Sequence, residues 1–522
     1  MHVAVIGAGV AGLATAKVLR QAGHAITVFE KSSEVGGVWS AARRYPGLTT
    51  QSPRDQYALS DFPMPKDFPE WPTGEQVQAY LAAYARRFGL VPHLRLNTAV
   101  TAVTPTTDGR WRVATGDTGE VYDRVVVANG VLCEPAVPDY PGRAEFEAAG
   151  GRVCAATEFH DVEDARGRHV VVVGYGKSAC DVTVPISEVA ASTDVVARQV
   201  VWKVPRKIGG VVNFKVLLMT RMGESLFRYA RLRGFEKFLH GPADRLRRNM
   251  INSVGSVSVR QFRLKEHGLV PAGHMEDMIR NAIGLATEGF FEGVADGSIR
   301  VRRDRRITRL FARGGKPWAA LSDGAELPAD LVVCATGFVQ AVPFLPADVR
   351  DRVQDERGNF LLYRQIRPVG VPGLYFNGYN SSFFSQLNAE MAALWIAADL
   401  AGALRLPDDD AMRAAIAAQI AFMDEATDGH HCHNTKIIPF SLHNVDEVLA
   451  DLDVNIPRAV RAAHWLVPVN PAAYRRVTRA LLARLPAPPP GGARPAGLDA
   501  VTVAPAHRGE RAARAGSSTT DG

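Results

Sequence analysis

Long uninterrupted apolar runs are missing from this sequence. No stretch reaches the about 18 consecutive apolar residues that cross a bilayer, which excludes a helical membrane span. Cysteine is scarce too: Cys133, Cys154, Cys180, Cys334 and Cys432 are odd in number, far apart and never paired as C-x-x-C. That argues against a disulfide framework and a dithiol redox centre, and it suits a reduced, cytoplasmic compartment. Neither charge sign is in excess. The 61 basic and 54 acidic residues leave +7 over 522 residues, too little for a nucleic-acid binder yet compatible with anionic ligands. An apolar strand starts at residue 2, so no signal or transit segment is expected. What remains, 47% hydrophobic and 22% charged, is the composition of a globular protein with room for two to four domains.

The stretch that organises the chain is its first. Val3 to Ile6 is an apolar strand running into Gly7-x-Gly9-x-x-Gly12; a helical run follows to Gly23, and a second strand, Ile26 to Phe29, ends in Glu30. Strand, turn, helix and acid together are the context that makes a glycine pattern a dinucleotide site. Gly7 permits the tight turn, Gly9 lets a pyrophosphate reach the backbone, and Gly12 lets helix and strand pack closely. The phosphates would face the free N–H groups of the helix opened by Val10 and Ala11, and Glu30 would accept from a ribose. Gly36-Gly37-Val38-Trp39 suits a loop wrapped around a flat cofactor with Trp39 as its wall, although it also reads as a turn beside a core tryptophan. Thr73 is the predicted N-cap of a helix to Phe88; Leu94–Val103 and Arg110–Thr115 read as strands, and Arg124 to Val127 as a buried parallel strand ending at Gly130.

About 170 residues after the first turn the pattern returns. Strand His169–Val173 enters Gly174-x-Gly176-Lys177-Ser178-Ala179, where alanine stands in for the third glycine. The following strand, Thr193 to Ala197, ends in Arg198 instead of an acid, which favours a ribose 2′-phosphate and hence NADP(H); a solvated surface arginine is the plainer alternative. Val211 to His240 mixes apolar residues with arginines, an amphipathic helical excursion over a site mouth or a basic membrane-surface element. Asp330–Phe338 repeats the strand-into-small-residue turn, with Ala335-Thr336-Gly337, and a helix is expected from Asn388 through Leu404. His430, His431, Cys432 and His433 are adjacent and without a second ligand cluster, so no metal is expected. Pro486 to Gly522 is Pro, Gly, Ala and Ser rich and reads as a disordered tail.

In this order the motifs, with Ser60-Asp61-Phe62-Pro63 between them, resemble the class B flavin-dependent monooxygenases over roughly residues 2 to 405, a group that includes flavin-containing and Baeyer–Villiger monooxygenases. The resemblance implies FAD at Gly7, Gly9, Ala11, Gly12, Glu30, Gly37, Val38, Trp39 and Val100. It implies NADPH at Gly174, Gly176, Lys177, Ser178 and Arg198, with Thr336 and Gly337 completing the cofactor site. It also implies the activity: NADPH- and O₂-dependent insertion of one oxygen atom into a small organic substrate, as N- or S-oxygenation, through an FAD C4a-hydroperoxide. Three departures stand out. The family fingerprint F-x-G-x-x-x-H falls on residues 154–160, where only His160 survives, and the aromatic expected after it is Asp164. The active-site Asn or Asp falls on Gln51, the single catalytic candidate. Arg44-Tyr45-Pro46-Gly47 resembles the Baeyer–Villiger branch, whereas Leu264 to Pro271 resembles the flavin-containing branch and offers no catalytic arginine.

The expected architecture is α/β, two Rossmann-like domains with the NADPH domain inserted in the FAD domain. Its limits are 1–150 for the first FAD part, 151–335 for the NADPH domain with a helical excursion over 211–249, 336–485 for the second FAD part and C-terminal helices, and 486–522 for the tail. Expected partners are a small molecule and O₂, with no nucleic acid, in a monomer or homo-oligomer, with peripheral membrane contact open. Alternatives are Baeyer–Villiger oxidation of a ketone, an uncoupled NADPH oxidase and a non-catalytic nucleotide binder. A disulfide reductase is disfavoured by the missing C-x-x-C.

Overall fold

The computed structural model describes residues 1–280, 284–380, 382–428 and 441–486. The histidine cluster at 430–433 and the tail at 487–522 lie outside the described residues.

Two five-stranded parallel sheets carry the fold, and they are the same sheet built twice. The first runs in the order Leu374–Phe376, Arg124–Val127, His2–Ile6, Ala25–Phe29, Leu94–Arg95. The second runs Arg152–Ala155, Leu331–Cys334, His169–Val173, Ser192–Ala197, Ile299–Arg303. In each, a central strand enters a glycine turn, a helix crosses to the next strand, and a three-stranded antiparallel meander (102–122 and 307–328) precedes the strand that returns to the central one's other side. Valine-rich central strands buried on both faces drive this arrangement: Val3, Val5, Val125, Val126, Val171 and Val172 are wholly buried. The second sheet lies in sequence between strands of the first, as the inserted architecture requires. The chain crosses out through Glu134–Pro135 and back through Phe338–Val339, and these two segments pair antiparallel.

The helix Val10–Gln21 packs against the first sheet, and the helix Ser385–Leu400 packs against that helix. The latter is buried around nearly its whole circumference from Gln386 to Ala398, so it is a core helix and has no polar face to present. It begins a turn earlier than the predicted Asn388 start. The helix Gly74–Arg87 forms as expected, with Thr73 and Gln76 bonded reciprocally across its first turn.

Two expectations are modified. The predicted strand Leu94–Val103 breaks into Leu94–Arg95 and Ala102–Pro105, because Asn97 turns left-handed (φ 52°) and the N–H groups of Asn97 and Thr98 donate to the carbonyls of Ser32 and Glu30. The excursion opens with a hairpin, Lys207–Ile208 against Val212–Asn213, before helices Phe214–Leu218, Arg221–Ser225 and Phe235–Leu239. It then continues as the helix Asp244–Gln261, so a limit at 249 cuts that helix.

Candidate active site

The first glycine turn is dictated by close contacts. Gly7 has φ +108°, and a Cβ there would lie 2.4 Å from the Ala128 carbonyl oxygen; a Cβ on Gly12 would lie 1.8 Å from the oxygen of Gly7. Both positions are closed to any side chain. Gly9 differs: its Cβ would meet only the Gly37 Cα, at 3.6 Å. The fold therefore does not demand glycine at Gly9; the space in front of it does. The helix that follows has no side-chain cap and no acid in its first turn, which leaves its N–H groups free for an anion. Glu30 lies at the end of the neighbouring strand and accepts from the N–H groups of Ala8 (2.8 Å) and Ser32 (2.9 Å). Each carboxylate oxygen keeps a lone pair for a hydroxyl.

These groups line one cavity of about 450 Å³. Of the residues singled out in the sequence, Gly7, Gly9, Ala11, Glu30, Gly37, Val38, Trp39, Gln51, Val100, Lys177 and Ser178 line it; Gly12, Gly174, Gly176, Arg198, Thr336 and Gly337 do not. Trp39 is buried and meets Tyr57 edge to face at 5.6 Å, a rigid aromatic corner of the wall. Phe338, Phe344 and Phe383 supply further apolar wall.

The second turn repeats the first. Gly174 has φ +126° and its Cβ would lie 2.5 Å from the Ala335 oxygen, whereas the methyl of Ala179 stands 3.5 Å from the same point and fits. A Cβ on Gly176 would meet nothing within 4 Å, so this face of the turn is open to a ligand. Lys177 is clamped to Asp181 one helical turn on, and its ammonium also donates to Thr49 at 3.3 Å. Burial lowers its pKa, with Asp181 opposing. Fully buried Asp181 also accepts from Thr287 at 2.5 Å.

The two halves are tied together at the cavity. The Tyr45 hydroxyl donates to Ser178 at 2.8 Å, and Gly47, at φ +81°, approaches the Asp181 carbonyl so closely that a Cβ would lie 2.4 Å from it. This docking carries Gln51 to the junction, where its Oε1 accepts from the Leu285 N–H at 3.4 Å. His160, the surviving fingerprint residue, has Nδ1 3.0 Å from the Arg44 carbonyl oxygen in the same docking loop, and Asp164 pairs with Arg152 at 2.7 Å. Thr336 donates to the Ala136 carbonyl and Gly337 accepts from the Ala136 N–H at 2.9 Å, which places both in the crossing seam. Arg198 stands exposed at its strand end.

Comparison with known proteins agrees with this geometry. The flavin-binding monooxygenase-like family matches residues 1–238. Flavin-containing monooxygenase 1 of Canis lupus familiaris is 28% identical over 436 residues, covering 79% of this chain and 76% of that protein. A probable flavin-containing monooxygenase 1 of Arabidopsis thaliana is 27% identical over 501 residues, covering 87% and 92%. In sequence the chain is similar to the class B flavin-dependent monooxygenases. Its fold is shared with S-allyl-L-cysteine S-oxygenase from Allium sativum (TM-score 0.58, 20% identity, 92% of this chain and 93% of that one). It is shared as well with cyclohexanone-bound cyclohexanone monooxygenase (TM-score 0.65, 20% identity, 87% and 97%). FAD and NADPH are the cofactors of the family.

The cavity fits a flavin on grounds of its own. Gln386, in the first turn of the helix Ser385–Leu400, is 1% exposed, lines the cavity, and has neither amide atom bonded within the protein. A buried carboxamide without partners is costly, and a ring edge bearing donors and acceptors would satisfy it. No sequence signal marked Gln386. Nor did any mark Arg43, which lines the cavity, donates to the Leu132 carbonyl and lies over the Phe338 ring at 5.8 Å. Among the described residues no cluster of three or more His, Cys, Asp or Glu side chains could hold a metal, and no helix is long and apolar enough to cross a membrane.

Proposed function

We propose that this monooxygenase oxygenates the nitrogen or sulfur of a small, largely apolar amine or thioether, consuming NADPH and O₂. What supports the choice of substrate is the sequence likeness to flavin-containing monooxygenases together with the fold shared with an S-oxygenase. Of the cavity's cations, Lys177 is committed to Asp181 and Arg43 to the Leu132 carbonyl, while the buried Lys203 ammonium, without a hydrogen-bond partner among the described residues, lies near Gln51 Oε1. An electron-rich nitrogen or sulfur needs no cation to polarise it. FAD, once reduced by NADPH, supplies the oxygen activation; the chain supplies position and dryness. Gly9 with the helix start would hold the pyrophosphate, on a turn that Gly7 and Gly12 make possible by their close packing; Glu30 would hold the ribose, and Gly37, Val38, Trp39 and Val100 the rings. The second turn, with Lys177 and Ser178, holds NADPH, Arg198 its 2′-phosphate, and Thr336 and Gly337 brace the seam behind both. Gln51 is the catalytic amide: with its Oε1 taken by the Leu285 N–H, its Nε2 is left to donate into the cavity. The walls formed by Trp39, Tyr57 and Phe383 exclude water from that point.

The proposed units are 1–150 and 336–485 for FAD and 151–335 for NADPH. The proposed setting is the cytoplasm, as monomer or homo-oligomer, with the basic excursion as the place of any peripheral membrane contact. Incubating the FAD-loaded enzyme with NADPH and paired sulfide and ketone substrates tests the assignment. Sulfoxide is the expected product, and ester alone would refute it in favour of Baeyer–Villiger chemistry. Peroxide equal to NADPH consumed, with every substrate, would mark an uncoupled oxidase.

A further inference from the structure

The junction of the two halves holds a buried lysine that the chemistry above does not use. Lys203 is 3% exposed, and among the described residues its ammonium has no hydrogen-bond partner. An uncompensated cation in such a place is costly, so what surrounds it matters. A short parallel ladder carries it: Lys203–Val204 pairs with Gly284–Leu285, Lys203 opposite Gly284, and the Ala286 N–H donates to the Val204 carbonyl at 2.9 Å. The ammonium lies over the Tyr175 ring, 5.3 Å from its centroid. Near it is the Cys180 thiol, whose pKa burial pushes up and Lys203 draws down. Asp181 acts on the same thiol, but its carboxylate is committed to Lys177 and Thr287. A ring face and a thiol are weak company for an ammonium. One stronger acceptor stands close by. A Cβ built on Gly284 would meet Lys203 Nζ at 3.4 Å and Gln51 Oε1 at 3.8 Å, with nothing nearer. Gly284 does not take a left-handed φ, so its backbone does not require glycine; the missing side chain leaves the ammonium unscreened from the amide oxygen.

We infer that Lys203 is a positioning residue for Gln51: its ammonium holds the amide oxygen on the Leu285 side, so that Nε2 is presented to the cavity. The inference rests on the reading of Gln51 as the catalytic amide. Oε1 and Nε2 are alike in shape, and only electrostatics decides which of them turns toward the cavity. The Leu285 N–H meets Oε1 at 3.4 Å, too long a bond to fix that choice alone. An ammonium attracts the oxygen end of the amide dipole and repels its NH₂ end, and in a buried junction this preference is stronger than in water. Both parts of the hold come from the same ladder, the cation from one strand and the N–H from the other. The ladder belongs to the half that carries the second glycine turn, whereas Gln51 belongs to the half that carries the first. The amide is therefore oriented only where the two halves are docked, by the contacts of Tyr45 and Gly47 with Ser178 and Asp181.

A double-mutant cycle on the FAD-loaded enzyme tests this. Lys203→Met keeps the length of the side chain and removes the charge, so the variant should be at least as heat-stable as the parent and bind NADP⁺ within twofold of it by calorimetry. With NADPH and a sulfide substrate, its peroxide released per NADPH should rise several-fold, as it should in Gln51→Leu. The double variant should release no more than Gln51→Leu alone, because the lysine acts through the amide. Lys203→Leu, a second neutral variant, should behave as Lys203→Met does, and Lys203→Arg, which keeps the charge, should recover part of the coupling. Unchanged coupling in both neutral variants beside a defect in Gln51→Leu would overturn the inference. So would a Lys203→Met defect that adds in full to that of Gln51→Leu, or one that comes with weakened NADP⁺ binding, since the lysine would then serve the cofactor. Unchanged coupling in Gln51→Leu itself would remove the catalytic role of the amide, and the inference with it.

Discussion

Glu390 gives the sharpest test of how this fold is held. It lies in the Ser385–Leu400 helix, 1% exposed, and accepts from the Ser60 N–H at 2.6 Å and the Ser60 hydroxyl at 3.1 Å. Lys17, on the helix that follows the first glycine turn, pairs with Asp61 and stands 4.0 Å from Glu390. One ammonium thus faces two carboxylates in a buried space walled by Tyr80 and Tyr84. Burial pushes the Glu390 carboxyl up from 4.5 to about 7; Lys17 opposes and Asp61 adds to the rise. The folded state then holds a proton between those values that the unfolded chain has lost. Its stabilising share is fully present below pH 4.5, declines as pH rises, and is gone above about pH 7. The interval corresponds to a ceiling of roughly 3 kcal/mol, and sharing of the proton within the cluster brings the expected value to about 1–3 kcal/mol. Glu390→Gln mimics the protonated form at every pH. Urea unfolding of the FAD-saturated protein, followed by tryptophan fluorescence, should find the variant's stability relative to the parent rising by about 1–2 kcal/mol between pH 5.5 and pH 8. Parallel stability curves for the two proteins would refute the assignment of that proton to Glu390.

The three glycines of the first turn should fail in different ways. Gly12→Ala places a methyl 1.8 Å from a carbonyl oxygen and should yield little folded protein. Gly9→Ala meets only an ordinary contact and should fold with a normal thermal midpoint yet retain no flavin; yellow Gly9→Ala protein would remove the pyrophosphate from this turn. Gln51→Leu should keep FAD and NADPH binding while raising the peroxide released per NADPH several-fold, and unchanged coupling would deprive Gln51 of its catalytic role.

Local patterns make much of this molecule legible in its sequence. The strand–turn–helix units at Gly7 and Gly174, the Thr73 cap and the valine strands each depend on neighbours within about twenty residues, and each formed where the sequence placed it. The rest depends on residues far apart in the chain. Nothing near Gln386 in sequence reveals that its amide ends in the cavity without a partner, and nothing near Lys177 announces that Thr49 comes to meet it. The Ser60-Asp61-Phe62-Pro63 stretch was recognisable as a motif without a reason. The structure supplies one: Ser60 and Asp61 bond to Glu390 and Lys17, and Phe62 packs onto Tyr80, Tyr84 and Phe88. Ala197 and Arg303, far apart in the chain, stand side by side only because an edge strand pairs in register.

The antiparallel pairing of Glu134–Pro135 with Phe338–Val339 has a bearing on how such a protein can be rebuilt. The inserted sheet begins and ends at the same place, so the host sheet sees two chain ends already side by side. Replacing everything between them by another cofactor-binding unit of like geometry requires no new loop closure in the host, and its entropic cost is small. The unit can therefore be exchanged as a cassette through one chain crossing, with Ala136, Thr336 and Gly337 kept as the fitting and the donor matched to the docking face at Tyr45, Gly47 and Thr49. A chimera joined there inherits the host's flavin cavity and takes its nicotinamide preference from the donor.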